Sequence, residues 1–200
     1  MSVSNKNKGF TRDQINKIGN AIIYLSENVP DLNKTKILKI LFLIEEASIK
    51  KYGHPFFGIN FQLWKLGPVV KDIFIDLSDE MPVLLKDFIE RDSKNSFNFK
   101  SKSKFCDDEF SDNDIELMKL VVDFAKTKTA SYLVQHTHGP NSLWRKSALK
   151  FGVLEVLEKE LINSTEFEID FDLLFADRPH MKERFEEVRE NMEFVRQLKN

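Results

Sequence analysis

The spacing of apolar residues divides the chain into a series of helices with a short β-like interruption. From Thr11 onward, Ile15, Ile18, Ile22 and Leu25 fall on one face at helical spacing, and Pro30 closes the segment. Thr11 and Gln14 have the spacing of a capping box, in which each side chain satisfies a free backbone N–H of the first turn. A second helix is predicted from about Asn33 to Tyr52, with Gly53 as its stop. Its residues Ile37, Leu38, Ile40, Leu41, Phe42, Leu43 and Ile44 are apolar on nearly every face, so it belongs at the centre of the fold.

Between Phe57 and Lys65 the period changes. Phe57, Ile59, Phe61 and Leu63 alternate with other residues, as in a short strand. Pro68 follows Gly67 and suits the first turn of a helix, where its missing N–H costs nothing; Val69, Ile73 and Leu77 would form that helix's inner stripe. Phe97 and Phe99 alternate within a polar stretch and suggest a small hairpin that pairs with the Phe61 strand. Ser111 opens another helix, with Asp112 and Asp114 near its positive end and Ile115, Met118, Val122 and Ala125 on its apolar face. Thr129 caps a short helix holding Leu133 and Val134, which Gly139-Pro140 breaks; further short helices are expected at Leu143 to Leu149 and Val153 to Leu161. After Pro179, the residues Met181, Phe185, Val188, Met192 and Val195 recur in steps of four and three, an a/d seam barely two heptads long. That seam suits a helix docked on its own domain, or one that meets a second copy or another partner.

The expected fold is mainly α: a compact helical domain with a small antiparallel β element of two to three short strands and a C-terminal helix. The expected divisions are a flexible tail at 1–10, a helical domain at 11–152 and a helical extension at 153–200.

Composition supports a folded domain and narrows the partner classes. Of 200 residues, 42% are hydrophobic, enough for a core at this length. Charged residues nearly cancel, leaving a net charge of -2, which argues against binding nucleic acid through bulk positive charge. The N-terminal residues are polar and lack the apolar stretch of a signal peptide, and no uninterrupted apolar run has the length of a membrane span. Cys106 is the only cysteine, so no intramolecular disulfide forms. The expectation is a cytoplasmic protein without a membrane partner.

Three blocks then stand out in order. The first is Lys36-Ile37-Leu38-Lys39-Ile40-Leu41-Phe42-Leu43, followed by Tyr52-Gly53. The second is Phe61-Gln62-Leu63-Trp64-Lys65-Leu66-Gly67-Pro68-Val69-Val70. The third is Phe110-Ser111-Asp112 with its helix, then Thr137-His138 and Leu143-Trp144. Together they resemble the Panacea domain, the SocA-like antitoxins often found near phage genes, over roughly Ile15 to Ala148. The resemblance implies a largely helical, non-enzymatic antitoxin that neutralises a cognate protein toxin by binding it. It also implies an alternative, a proteolytic adaptor that hands the toxin to a AAA+ protease; an enzyme of unknown type ranks last, since the residues offer no complete catalytic set. The chain departs from the family pattern at Phe42, where a Tyr is usual, and in its tail beyond Gly152.

The candidate chemistry points the same way. His136 and His138 would need further ligands to complete a metal site, and no other Cys or His cluster supplies them, so neither metal nor cofactor is expected. His138 is expected to hydrogen-bond within the loop at Gly139-Pro140. Cys106 paired with His136 as nucleophile and base would still lack an orienting third group and an oxyanion hole, and it sits beside Asp107, Asp108 and Glu109, whose charge disfavours a thiolate. Glu45-Glu46 reads as the solvated part of a helix. No Gly-rich phosphate loop occurs. Trp64, Lys65, Gly67 and Pro68, and separately Trp144 and Arg145, have the character of interface anchors, although both tryptophans could equally fill the core. Met181, Phe185, Val188 and Met192 form a second candidate surface, for a partner or for a homodimer through the C-terminal helix.

Overall fold

Side-chain caps fix the helix starts in the computed structural model, which describes residues 9–198; residues 1–8 of the expected tail lie outside the described residues. Thr11 caps α1 (Arg12–Asn28), and the capping box with Gln14 is formed in both directions. Asn33 caps α2 (Lys34–Tyr52), which ends at Gly53 in the left-handed conformation. Ser111 caps α4 (Asp112–Ala125) in a second capping box, closed by Asp114. Thr129 and Ser142 cap α5 (Ala130–His138) and α6 (Leu143–Lys150). The chain continues through α7 (Leu154–Glu158) and a 3-10 turn at Phe171–Leu174 to α8 (Pro179–Leu198).

The fold is mainly α, with eight α-helices and two small antiparallel sheets among the described residues. As its all-round apolar pattern predicts, α2 is central. It packs against α4 and α5, and Ile37, Ile40, Leu41, Phe42 and Ile44 have almost no exposed surface. The main core also draws Val153, Leu154, Leu157 and Ile169 from beyond Gly152.

The β regions differ from the sequence reading in three respects. The alternating stretch yields only β1 (Gln62–Trp64). Gly67-Pro68 does not open a helix: Gly67–Val69 forms β2, paired antiparallel with β1 across a two-residue turn, and α3 begins at Lys71 and runs to Asp76. A proline is tolerated in a two-stranded ribbon when its missing N–H falls outside the ladder, so Pro68 fits either reading; Gly67, at φ +97°, decides for the hairpin. The second hairpin pairs β3 (Ile89–Arg91) with β4 (Phe99–Ser101) and makes no pairing with the Phe61 segment. Its register buries Phe99 and leaves Phe97 79% exposed.

The outer edge of β1 is covered by the segment that leads to the 3-10 turn. Leu63 N donates to Phe167 O at 2.8 Å, Ile169 N to Phe61 O at 2.7 Å and Lys65 N to Asn163 O at 2.9 Å.

The C-terminal helix docks on its own chain through a small separate cluster. Phe185 is 3% exposed and packs with Ile49 and Phe175, with Phe171, Leu174 and Met181 around them. Val188 and Met192 are half-buried, and Val195 is 47% exposed. The seam is therefore seated at its start and uncovered at its end.

Candidate functional site

α2, the β1–β2 hairpin, α5 and α6 pack together around the middle of α2, where Lys39 sits. Its position on an all-round buried helix leaves the amine no path to water, and the residue is 2% exposed. Lys39 Nζ donates to Pro68 O at 2.9 Å, tying α2 to the β1–β2 hairpin. Burial lowers its pKa to about 7. A charged amine needs three acceptors, whereas a neutral one is satisfied by fewer, so a dry site with a backbone carbonyl favours the neutral form. Sealed from solvent, the amine holds the hairpin in place and cannot reach a substrate.

Gly67 makes this approach possible. A Cβ at Gly67 would lie 2.9 Å from Lys39 Nζ and 3.3 Å from Thr137 Oγ1. Thr137, on the last turn of α5, is buried and donates back to Leu133 O at 2.9 Å. Next to it, the His138 ring lies edge-on to Trp144, with centroids 3.8 Å apart. Trp144 has no exposed surface, and its Nε1 donates to Trp64 O at 3.0 Å, closing the ring of contacts back to the hairpin. Trp64 is half-buried, packs edge-on against Phe74 and donates from Nε1 to Gln62 Oε1 at 3.1 Å.

The structure thus brings Trp64, Gly67, Pro68 and Trp144 into one buried knot, where their contacts are internal. Trp144 packs in the core and offers no surface to a partner. Lys65 and Arg145 lie at the edge of the knot, where Lys65 pairs with Glu160 at 2.8 Å and Arg145 pairs with Glu158. Leu66, at the hairpin tip, is 59% exposed. Met181, Phe185, Val188 and Met192 stand apart, on α8.

His138 corrects a sequence expectation. Its Nε2 is a buried nitrogen without a hydrogen-bond partner, so ring packing on Trp144, rather than a loop hydrogen bond, holds the side chain. Burial lowers its pKa below the ordinary imidazole value. His136 is exposed and packs beside Phe124, so the two histidines have different neighbours.

Glu45 is a second correction. It is 1% exposed rather than solvated, and its carboxylate accepts from Phe57 N at 2.7 Å and Gly58 N at 3.2 Å. Burial raises its pKa to about 7, against those two hydrogen bonds and the charge of Lys17. Gln14 of α1 donates to the carbonyls of the same loop, Phe57 O at 3.2 Å and Gly58 O at 2.7 Å. The loop so pinned receives α8: a Cβ at Gly58, which has φ +63°, would lie 2.2 Å from Met192 Cε.

A family model described as Antitoxin SocA-like, Panacea domain, matches residues 37–145, over half of the chain. The chain belongs to this family. Comparison with curated proteins and with solved structures gives no match. The Panacea match runs from α2 through the hairpin to the start of α6 and contains the whole Lys39–Trp144 knot; α7, the 3-10 turn and α8 lie beyond it. Ordered blocks far apart in the sequence are thus neighbours in space. Sequence reading missed Lys39 and Glu45 as buried groups because lysine and glutamate on a helix ordinarily mark its wet side. The available signal was that both sit on the helix whose apolar residues leave no face for solvent. Among the described residues, no helix is long and apolar enough to cross a membrane.

Proposed function

We propose that this Panacea-domain chain is the antitoxin of a toxin–antitoxin pair and neutralises a cognate protein toxin by direct contact, without turnover. The observation that carries this reading is the family match over residues 37–145. The knot then serves as a rigid support, and the toxin meets the exposed residues around it. The hairpin tip, with Lys65 and Leu66, shares a face with Arg145 and with Leu161, which is 69% exposed. Buried apolar anchors with charged neighbours are the usual energetic centre of such contacts.

Co-expression with the product of the adjacent open reading frame tests the proposal. The neighbour alone should arrest growth, this chain should restore it, and the two should purify as a complex. A harmless neighbour, or one that does not co-purify, would overturn the reading.

Delivery to a AAA+ protease is a second reading, favoured by the uncovered end of α8, where Phe194 is 61% and Leu198 71% exposed. That end would be the tether. Removing residues 194–200 should then lengthen the toxin's half-life while leaving the complex intact; an unchanged half-life counts against delivery.

A further inference from the structure

A groove of about 1040 Å³ runs between α8 and the body of the protein, away from the Lys39 knot. Its floor is apolar and largely aromatic, with Phe57, Ile59 and Phe171 on the body and Phe185, Val188 and Met192 on α8. Its rim is acidic: Glu109 from the loop before α4, Glu168 beside β1, and Glu190 and Glu193 from α8 all line it. Among the described residues, the cations that line it, Lys17 and Arg189, are both engaged. Lys17 pairs with Asp114 at 3.1 Å and lies over the Phe56 ring at 4.5 Å. Arg189 stands 4.0 Å from Asp172 and 5.5 Å over the Phe185 ring. With both cations paired to carboxylates, the rim keeps an excess of negative charge, and low-dielectric walls concentrate such a field on whatever enters.

We infer that this groove docks a basic, amphipathic segment of a protein partner, with apolar side chains on the aromatic floor and lysine or arginine heads at the carboxylate rim. Charge selects this occupant over others. A second copy of the chain would bring the same acidic rim against itself, and an anionic lipid surface or a nucleic acid would be repelled. Long basic side chains suit the geometry because their stems cover apolar surface while their charged ends stay wet. The inference deepens the direct-binding proposal, since it is the toxin that would supply the segment.

The test titrates the full-length chain with a short labelled amphipathic peptide of leucine and lysine. The comparison peptides are its glutamate counterpart and a leucine-free lysine peptide of equal length. The leucine–lysine peptide should bind at physiological salt and the other two should bind far less. Glu190→Lys with Glu193→Lys should weaken binding by on the order of tenfold. Reversing Glu80 and Asp87, exposed acids outside the groove, should leave it within about twofold, as expected of distant screened charges. Absence of binding, equal binding of the leucine-free peptide, equal loss with both pairs of reversals, or a dimer that occludes the groove in sedimentation would each overturn the inference. Growth rescue separates it from the broader reading. If the unaltered chain fails to rescue, the antitoxin proposal falls. If it rescues and the Glu190→Lys, Glu193→Lys variant does so equally well, the groove inference falls and the proposal stands.

Discussion

The knot around Lys39 and the groove under α8 are built on opposite plans. In the knot, four elements share one dry site: the lysine has a backbone acceptor, the Trp144 indole N–H has a carbonyl, and a glycine clears the space between. Under α8, one helix rests on a small cluster around Phe185 and leaves an open, acidic, aromatic-floored channel beside it. The first arrangement fixes geometry and the second offers surface. The Panacea match covers the first and stops before α8. The difference teaches that the blocks that identify the family are those that hold the hairpin to the helices, and that the proposed partner surfaces lie at their edges and beyond them.

If the comparison is right, the largest effect should come from Trp144→Ala. Removing a fully buried tryptophan whose N–H bridges to the hairpin should cost about 3–5 kcal/mol, read from denaturant unfolding. A cost near that of a surface substitution would break the contrast.

Next come two opposing pH dependences. Lys39 holds its proton to about 7 when folded and to about 10.5 when unfolded, so the unfolded state carries more protons between those values. Its contribution to stability therefore rises with pH above 7 and is lost as pH falls towards 7. Glu45 titrates near 7 when folded instead of 4.5, so the folded state carries more protons in that range, and its contribution falls as pH rises from 4.5 to 7. Each limb has a slope of at most about 1.4 kcal/mol per pH unit. Lys39→Met should flatten the limb above pH 7 and Glu45→Gln the limb below it, as measured by unfolding across pH.

Two of the positive-φ glycines, Gly67 and Gly58, sharpen the comparison further. Gly67→Ala and Gly58→Ala share a backbone cost of about 1–2 kcal/mol. Gly67→Ala also drives a methyl group against the buried Lys39 amine, whereas Gly58→Ala meets the flexible end of Met192. Thermal unfolding should show Gly67→Ala as the more damaging of the two, and equal losses would contradict the distinction. The smallest global effect is expected from Phe185→Ala. It should release α8, seen as faster protease cleavage within 179–198, while the main unfolding transition moves less than in Trp144→Ala.

What could be read in the sequence follows the same divide between local and distant causes. The caps at Thr11, Ser111 and Thr129 were legible because each depends on side chains within a single turn. The central position of α2 was legible because its apolar residues leave it no wet face. Gly67-Pro68 reads as a helix start in the sequence and forms a hairpin strand instead, because proline also fits the edge of a ribbon and the approach of Lys39 and Thr137 is visible only in the folded chain. The β3–β4 pairing, the burial of Glu45 and the contact of His138 with Trp144 depend on residues that meet only in the folded chain.

Hydrogen–deuterium exchange of the chain alone and in complex with the product of the neighbouring gene tests the account most directly. Binding should add protection at the hairpin tip, in the 54–60 loop and along α8, and leave the amides of α2 around Lys39 and of α6 around Trp144 unchanged. Added protection confined to α2, α5 and α6, with none at the tip or along α8, would contradict it.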